Sequence, residues 1–407
     1  MTISRYRYFL AVLMFLVRAC ASFIMLVPAL YMAEIAVDFN IPPELTGTYV
    51  GLYVGLIMWG CAIFVLFSGP IVNKIGAKRC GFIGAALLFM GTLLTALNPF
   101  GFLAACIFRF IFGVGLVLVV VGFAPITQTW FTSEEYGRIN GILETCTSVG
   151  IMLNFAITPR LFESYRHAHF VYSIPMAIFA VLWGIFGRNP LVSSPKSEES
   201  YFRILKTRLR EIIKIKEVFL MFVVMWIAMG VGTALTSWIP SYFATDWRWR
   251  PEIASLLVTI YNLTNILSWP LGGTLSDKVG LRRPFLIVGG FGIFISAFNT
   301  ITFVGPASWF WYSLVGLFAA FYGFSIMTIP MEHPKITPEL ISTAVSVILL
   351  GGFLGGAIMP MVLGLTLDLT GSLYTGIITV STLYIVISII GLIVRETGWK
   401  ATATVKT

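Results

Sequence analysis

Charge is what this chain has least of. Asp, Glu, Lys and Arg make up 11% of its 407 residues, against about 25% in soluble domains. Hydrophobic residues reach 58% and the mean hydropathy is +0.91. A chain of this balance cannot hide its apolar side chains in one water-facing fold, so lipid must be the solvent for most of its surface. Cysteine and histidine are scarce too. Cys20, Cys61, Cys80, Cys106 and Cys146 all fall in or beside apolar runs of the first half and form no CxxC pair. They read as small apolar packing residues, with no disulfide and no metal site expected. His167, His169 and His333 lie at the ends of apolar runs or in loops. There is no HExxH, P-loop or GxSxG, which argues against an enzyme and against self-contained ATP-driven pumping; no cofactor is expected.

What is present is long apolar runs. A membrane helix needs roughly 20 mostly apolar residues. Twelve candidates stand at 8–33, 45–70, 80–97, 102–127, 138–160, 168–187, 218–244, 253–276, 284–304, 308–331, 340–367 and 372–395. The runs are continuous rather than alternating, and an open sheet edge cannot sit in lipid, so the expected class is an all-α membrane protein. The N-terminal MTISRYRY is short and basic. The run after it is too long for a cleaved signal and reads as a retained first span.

The net charge of +9 does not point to nucleic acid, because the basic residues sit in short segments between apolar runs. With the N-terminus in the cytoplasm, only Arg160, Arg166, Arg248 and Arg250 fall outside, and only Arg18 and Arg109 fall within spans. Every other lysine and arginine is cytoplasmic. This asymmetry predicts both termini in the cytoplasm. Residues 188–217 form a longer polar connection. It opens with RNPLVSSPKSEES, then places Leu205, Leu209, Ile212 and Ile213 at helical spacing against Arg203, Lys206, Arg208, Arg210, Lys214 and Lys216. A basic amphipathic helix on the anionic inner leaflet is expected there. It divides the chain into an N-terminal six-helix bundle (1–187), the linker (188–217), and a C-terminal six-helix bundle with a short tail (218–407).

The two halves repeat. The loop after span two carries Gly69, Asn73, Lys74, Gly76, Lys78 and Arg79; the loop after span eight carries Gly273, Asp277, Lys278, Gly280, Arg282 and Arg283. Both fit G-x-x-x-[DN]-K-x-G-x-[KR]-[KR], at a period of about 200 residues. The glycines permit close approach and a tight turn, and the acidic position can pair with cations or a helix N-terminus. On these motifs the chain resembles the major facilitator superfamily over essentially its whole length. The second loop matches the family's cytoplasmic gate motif in full, whereas Asn73 stands where the family usually has Asp, so a fully ionic latch is not expected in the first half. Arg109, Gly113 and Gly115 in span four resemble the family's R-x-x-x-G-x-G pattern. Span five has Gly141 and Gly150 but lacks the further glycines and the Gly-Pro pair of the antiporter pattern. The resemblance implies two six-helix bundles related by a pseudo-twofold axis, with nested inverted repeats and a central cavity near the midplane.

Charge at a helix centre costs ~2.5–3.5 kcal/mol on insertion scales, so Arg18, Arg109 and Glu144 are the strongest functional clues. The planar fork of Arg18 suits a carboxylate or small oxyanion. Val17-Arg18 followed by Pro28 also resembles permeases of the cyanate and nitroimidazole group, which implies small anions. Glu144, about two turns into span five, should lie within roughly 5 Å of Arg18 in depth, and the family fold makes spans one and five neighbours. Two readings stay open for Arg18: substrate binding, or a permanent ion pair with Glu144. For Arg109 the resemblance suggests proton coupling or packing against backbone carbonyls. Softer candidates for substrate contact are Asn154, Trp238, Tyr261, Asn262, Asn265 and Tyr322. Gly351, Gly352, Gly355 and Gly356, before Pro360, read as a packing face.

The expected function is a secondary transporter of a small solute in a plasma or inner membrane, acting as a monomer. A small anion is favoured by Arg18 and by the lack of any lysine in a span. A neutral or hydrophobic solute, or a non-transporting sensor on the same fold, are the other readings. Symport with protons, uniport and exchange are not separated by the sequence.

Overall fold

The computed structural model describes residues 3–190 and 201–400. Among these residues all regular structure is helical: α1 (Ile3–Met25), α2 (Met32–Asp38), α3 (Thr46–Ile75), α4 (Ala77–Leu97), α5 (Phe102–Trp130), α6 (Ser133–Leu161), α7 (Tyr165–Phe186), α8 (Tyr201–Ile212), α9 (Lys216–Thr245), α10 (Pro251–Ala254), α11 (Leu256–Val279), α12 (Arg283–Thr302), α13 (Pro306–Met331), α14 (Pro338–Thr370), α15 (Leu373–Ser381) and α16 (Tyr384–Ile393). Eleven candidate spans among the described residues are long and apolar enough to cross a membrane, with α15 and α16 counted as one. The twelfth expected span is α11. Its 24 residues reach about 36 Å at 1.5 Å per residue, but Asn262, Thr264, Asn265, Ser268, Thr274 and Ser276 dilute its apolar character.

The helices tolerate polar residues because most polar groups find a partner inside the protein. Hydroxyls along the spans donate to the carbonyl one turn back: Thr92 to Leu88, Thr95 to Gly91, Thr233 to Met229, Ser237 to Thr233 and Thr300 to Ser296. Of the polar connection expected at 188–217, residues 191–200 lie outside the described residues. From Tyr201 it forms α8, where Ile212 is buried and Arg203, Lys206 and Arg210 are exposed.

The chain divides into two units, Met1–Pro42 with Tyr53–Glu198 and Pro43–Leu52 with Glu199–Thr407. In the first, α4 packs on α5 and α7, and α1 on α6. In the second, α14 packs on α9, α13 on α11 and α12, and α16 on α12. The second unit includes the start of α3, which is capped from α14: the Asp368 carboxylate accepts from the backbone N–H groups of Gly47 and Thr48 at 2.7 Å each and from the Thr48 hydroxyl at 2.6 Å. An acceptor at a helix N-terminus answers donors that have no intrahelical partner.

The glycine run of α14 lies against α9. A Cβ on Gly355 would stand 2.0 Å from the Trp226 carbonyl oxygen, and one on Gly351 2.6 Å from that of Phe222. Gly141, by contrast, faces open space. Gly355→Val should therefore lower the thermal-unfolding midpoint of the detergent-purified protein, in keeping with a loss of about 1–3 kcal/mol or more for overpacking. Gly141→Ala should leave that midpoint nearly unchanged. Equal midpoints for the two variants would contradict this packing.

Candidate functional site

The buried charges of the first unit are each held by a different device. Arg18 lies on α1 with only 8% of its side chain exposed, and its Nη1 donates to Glu144 Oε1 of α6 at 3.0 Å. Glu144 is 61% exposed. Its second oxygen, and the remaining donors of Arg18, make no hydrogen bond among the described residues. The pair is thus one-sided: a buried guanidinium meets a carboxylate that stays open, and both keep unused hydrogen-bonding capacity. The approach of α1 to α6 depends on Gly150, whose Cβ would stand 2.4 Å from the Ala19 carbonyl oxygen.

Arg109 is buried on α5. Its Nη2 donates to the Met25 carbonyl oxygen at 2.7 Å, at the C-terminal end of α1, where carbonyls lack intrahelical partners and a cation is favoured. Its guanidinium also lies 5.4 Å from the Tyr53 ring centroid. It contacts neither Arg18 nor Glu144. His169, buried on α7, bonds through Nδ1 with the Tyr165 carbonyl oxygen at 2.8 Å. Arg109 Nε and His169 Nε2 are both buried without a hydrogen-bond partner. On α6, Asn154 accepts from the Thr158 hydroxyl at 2.7 Å, Thr158 bonds with Tyr172 at 2.9 Å, and Asn154 Nδ2 is buried without a partner.

The soft candidates of the second unit act mostly on their own helices and neighbours. The Trp238 indole donates to the Pro360 carbonyl oxygen at 3.1 Å, joining α9 to α14. Asn262 Nδ2 donates one turn back to Val258 O at 2.9 Å. Asn265 Nδ2 donates to Gly316 O at 3.3 Å, joining α11 to α13, and its Oδ1 accepts from Trp269 at 3.1 Å. Tyr261 packs on Tyr312 with ring centroids 5.5 Å apart. Tyr312, Tyr322 and Tyr384 are buried.

The gate loop of the second unit is a closed network. Gly280 adopts φ +73° after α11. Arg282 donates to Asp277 Oδ1 at 2.8 Å, to Ser276 Oγ at 2.7 Å and to Glu332 Oε1 at 2.6 Å. The hydrogen-bonded Glu332 carboxylate, reinforced by Asp277, holds the Arg282 guanidinium charged above its ordinary range. The N-terminus of α12 is capped by Glu396, which accepts from Arg282 N at 2.6 Å and Arg283 N at 3.1 Å. Arg283 itself reaches the Gly391 and Leu392 carbonyl oxygens at 3.0 and 2.6 Å. Lys278 lies in the last turn of α11, and a Cβ at Gly273 would meet open space.

The first gate loop carries the same device in neutral form. Gly76 has φ +88°, and Asn189 Oδ1 accepts from Lys78 N at the start of α4 at 3.1 Å. Gly69 and Lys74 lie in the last turns of α3, and Arg79 is exposed on α4. The side chain of Asn73 lies outside the described residues. Glu396 and Asn189 follow the sixth span of their halves as Arg395-Glu396 and Arg188-Asn189, a paired signal that sequence reasoning could have used.

The family model described as Major Facilitator Superfamily matches residues 9–360. The chain belongs to that superfamily. It is similar to the nitrite extrusion protein of Bacillus subtilis (strain 168), 22% identical over 224 residues, 54% of each chain. It is also similar to the hexuronate transporter of the same organism, 24% identical over 243 residues, 58% of this chain and 57% of the relative. The chain thus spans little more than half the length of these curated relatives. Among solved structures, the inward open conformation of the xylose transporter XylE from E. coli has a TM-score of 0.74 at 16% identity, covering 97% of this chain and 98% of that one. This likeness supports the twelve-helix fold, and as a superfamily member the chain is a multi-pass membrane protein.

The two caps differ in charge and in number of bonds, and charge-assisted hydrogen bonds are roughly twice as strong as neutral ones. Glu396→Ala should cost about 0.5–2 kcal/mol of stability, the usual range for a lost cap. Asn189→Ala should cost less, and Glu396→Gln should recover part of the loss. Midpoints of thermal unfolding in detergent measure all three; a larger loss for Asn189→Ala than for Glu396→Ala would contradict the assignment.

Proposed function

We propose that this chain is a secondary active transporter, not an enzyme, that moves a small organic or inorganic anion across the membrane by alternating access. In this reading Arg18 binds the anion, and Glu144 holds Arg18 when no anion is bound. The observation that carries it is the one-sided pair: Arg18 is buried, bonded to Glu144 through one nitrogen at 3.0 Å, and its other donors make no hydrogen bond among the described residues. A guanidinium with free donors suits a planar oxyanion. Nitrite and hexuronate, for which the two relatives are named, are both anions.

The anion and the Glu144 carboxylate would compete for the same donors. An anion displaces Glu144, and a proton on Glu144 weakens its hold on Arg18. Either event changes the bond that joins α1 to α6, which gives a route for proton-coupled symport. Arg109, tied to the end of α1, would keep that end of the helix fixed. Asn154, with its free Nδ2, is a second candidate contact for the solute.

The test is a thermal-shift screen of the purified protein with nitrite, a hexuronate and, as a neutral control, xylose. A binding anion should raise the midpoint by a few degrees as its concentration passes its dissociation constant, and Arg18→Ala should abolish the rise. Stabilisation by anions that survives in Arg18→Ala would defeat the anion-site reading. For coupling, Glu144→Gln should flatten the pH dependence of uptake of the anion so found. Unchanged uptake with unchanged pH dependence would remove Glu144 from the cycle.

A further inference from the structure

Four basic residues fall on the outer side of the spans, and two of them are tied down by close protein contacts. Arg160 donates to the Ala156 carbonyl oxygen of its own helix. Arg166 is held by Asp38 at 2.7 Å. Arg250, 78% exposed, has Glu252 at the long distance of 3.5 Å. Arg248 is exposed and has no carboxylate or carbonyl partner among the described residues. Arg248 and Arg250 alternate with Trp247 and Trp249 in the connection between α9 and α10, and Arg248 stands at φ +56°.

The same connection borders a groove of about 500 Å³ lined by Trp249, Arg250, Ile253, Gly305, Pro306 and Trp309. Its far wall is the turn between α12 and α13. Trp249 is fixed in it by Phe243, at a centroid distance of 4.5 Å, and by stacking on Trp309 at 6.2 Å. A Cβ on Gly305, at φ +100°, would meet nothing within 4 Å, so the floor is open. Around it, Trp247, Ile253, Phe303 and Phe310 are exposed. Tryptophan at this level of a membrane protein sits at the headgroup boundary, and a basic group there meets phosphates. The nearby acids do not cancel this: Asp246 accepts from the Thr245 hydroxyl at 2.8 Å, and Glu252 is only 32% exposed.

We infer that this outer groove is a phospholipid site, with the lipid phosphate on Arg248 and Arg250 and the glycerol and first acyl carbons against Trp249, Trp309 and Ile253. The occupant is a membrane phospholipid rather than a soluble anion, because the groove is apolar along its floor and charged at one edge only. It is independent of Arg18 and of the transport reading. It also accounts for two neighbouring cations, Arg248 and Arg250, that no close carboxylate holds.

Native mass spectrometry of the detergent-purified full chain tests the proposal, with phosphatidylglycerol and, for comparison, diacylglycerol of the same acyl chains. The wild type should retain phosphatidylglycerol in preference to diacylglycerol. Arg248→Gln/Arg250→Gln should retain one phospholipid fewer per chain, and a Lys206→Gln/Arg210→Gln variant of α8 should keep the outer one. Phosphatidylglycerol should raise the thermal midpoint of the wild type, and the Arg248→Gln/Arg250→Gln variant should lose at least half of that rise. If the double variant proves aggregated, Arg250→Gln alone carries the comparison, with binding weakened at least threefold. Equal lipid retention by wild type and variant would overturn the proposal, as would equal retention of diacylglycerol. An equal stabilisation by inorganic phosphate would assign the groove to a soluble anion instead.

Discussion

A guanidinium inside a membrane must be held by something, and this protein's architecture is arranged around that need. Arg18 would be costly to keep in α1 without a partner. Glu144 supplies one at 3.0 Å from α6, and Gly150 brings the two helices near enough for the bond to form. Arg109 meets the same demand in another way, by donating to a carbonyl at the buried C-terminal end of α1, Met25. Both arginines therefore act on one helix, one along its length and one at its terminus. A change at either would be felt through α1.

The duplicated halves solve one problem with two chemistries. In each, a residue from beyond the sixth span reaches the N-terminus of the third. Glu396 does so with a carboxylate and two bonds, and Asn189 with an amide and one. The acidic position of the gate motif follows suit, Asp277 in the second loop and Asn73 in the first. The second loop adds Arg282 bridging Asp277 and Glu332. The first half thus carries amides at both positions where the second carries charge, and Asn189 makes a neutral bond where Glu396 makes charge-assisted ones.

Much of this was legible in the sequence, for identifiable reasons. Apolar runs report lipid exposure directly, and the distribution of Lys and Arg fixes orientation. The nearness of Arg18 and Glu144 followed from helical rise and the expected adjacency of spans one and five. The polar α11 was still read as one of the apolar runs, at 253–276, although its asparagines and threonines weaken its hydropathy. What was not legible depends on contacts between distant residues. Glu396 lies 114 positions from the backbone it caps, and Asp368 reaches the start of α3 from 320 positions away. Trp238, Asn262 and Asn265 stood out in the sequence as polar or aromatic residues in apolar runs, but their hydrogen bonds, which join helices or turn back on their own, were not legible there.

The central claim is that Arg18 and Glu144 act as one energetic unit, and a double-mutant cycle on stability measures that directly. Arg18→Gln, Glu144→Gln and the double variant would be unfolded in detergent without added anion. The account predicts that Glu144→Gln costs more in the presence of Arg18 than in its absence, with a coupling between about 0.5 and 3 kcal/mol. Losses that add to within about 0.3–0.5 kcal/mol would show that the two residues are merely adjacent.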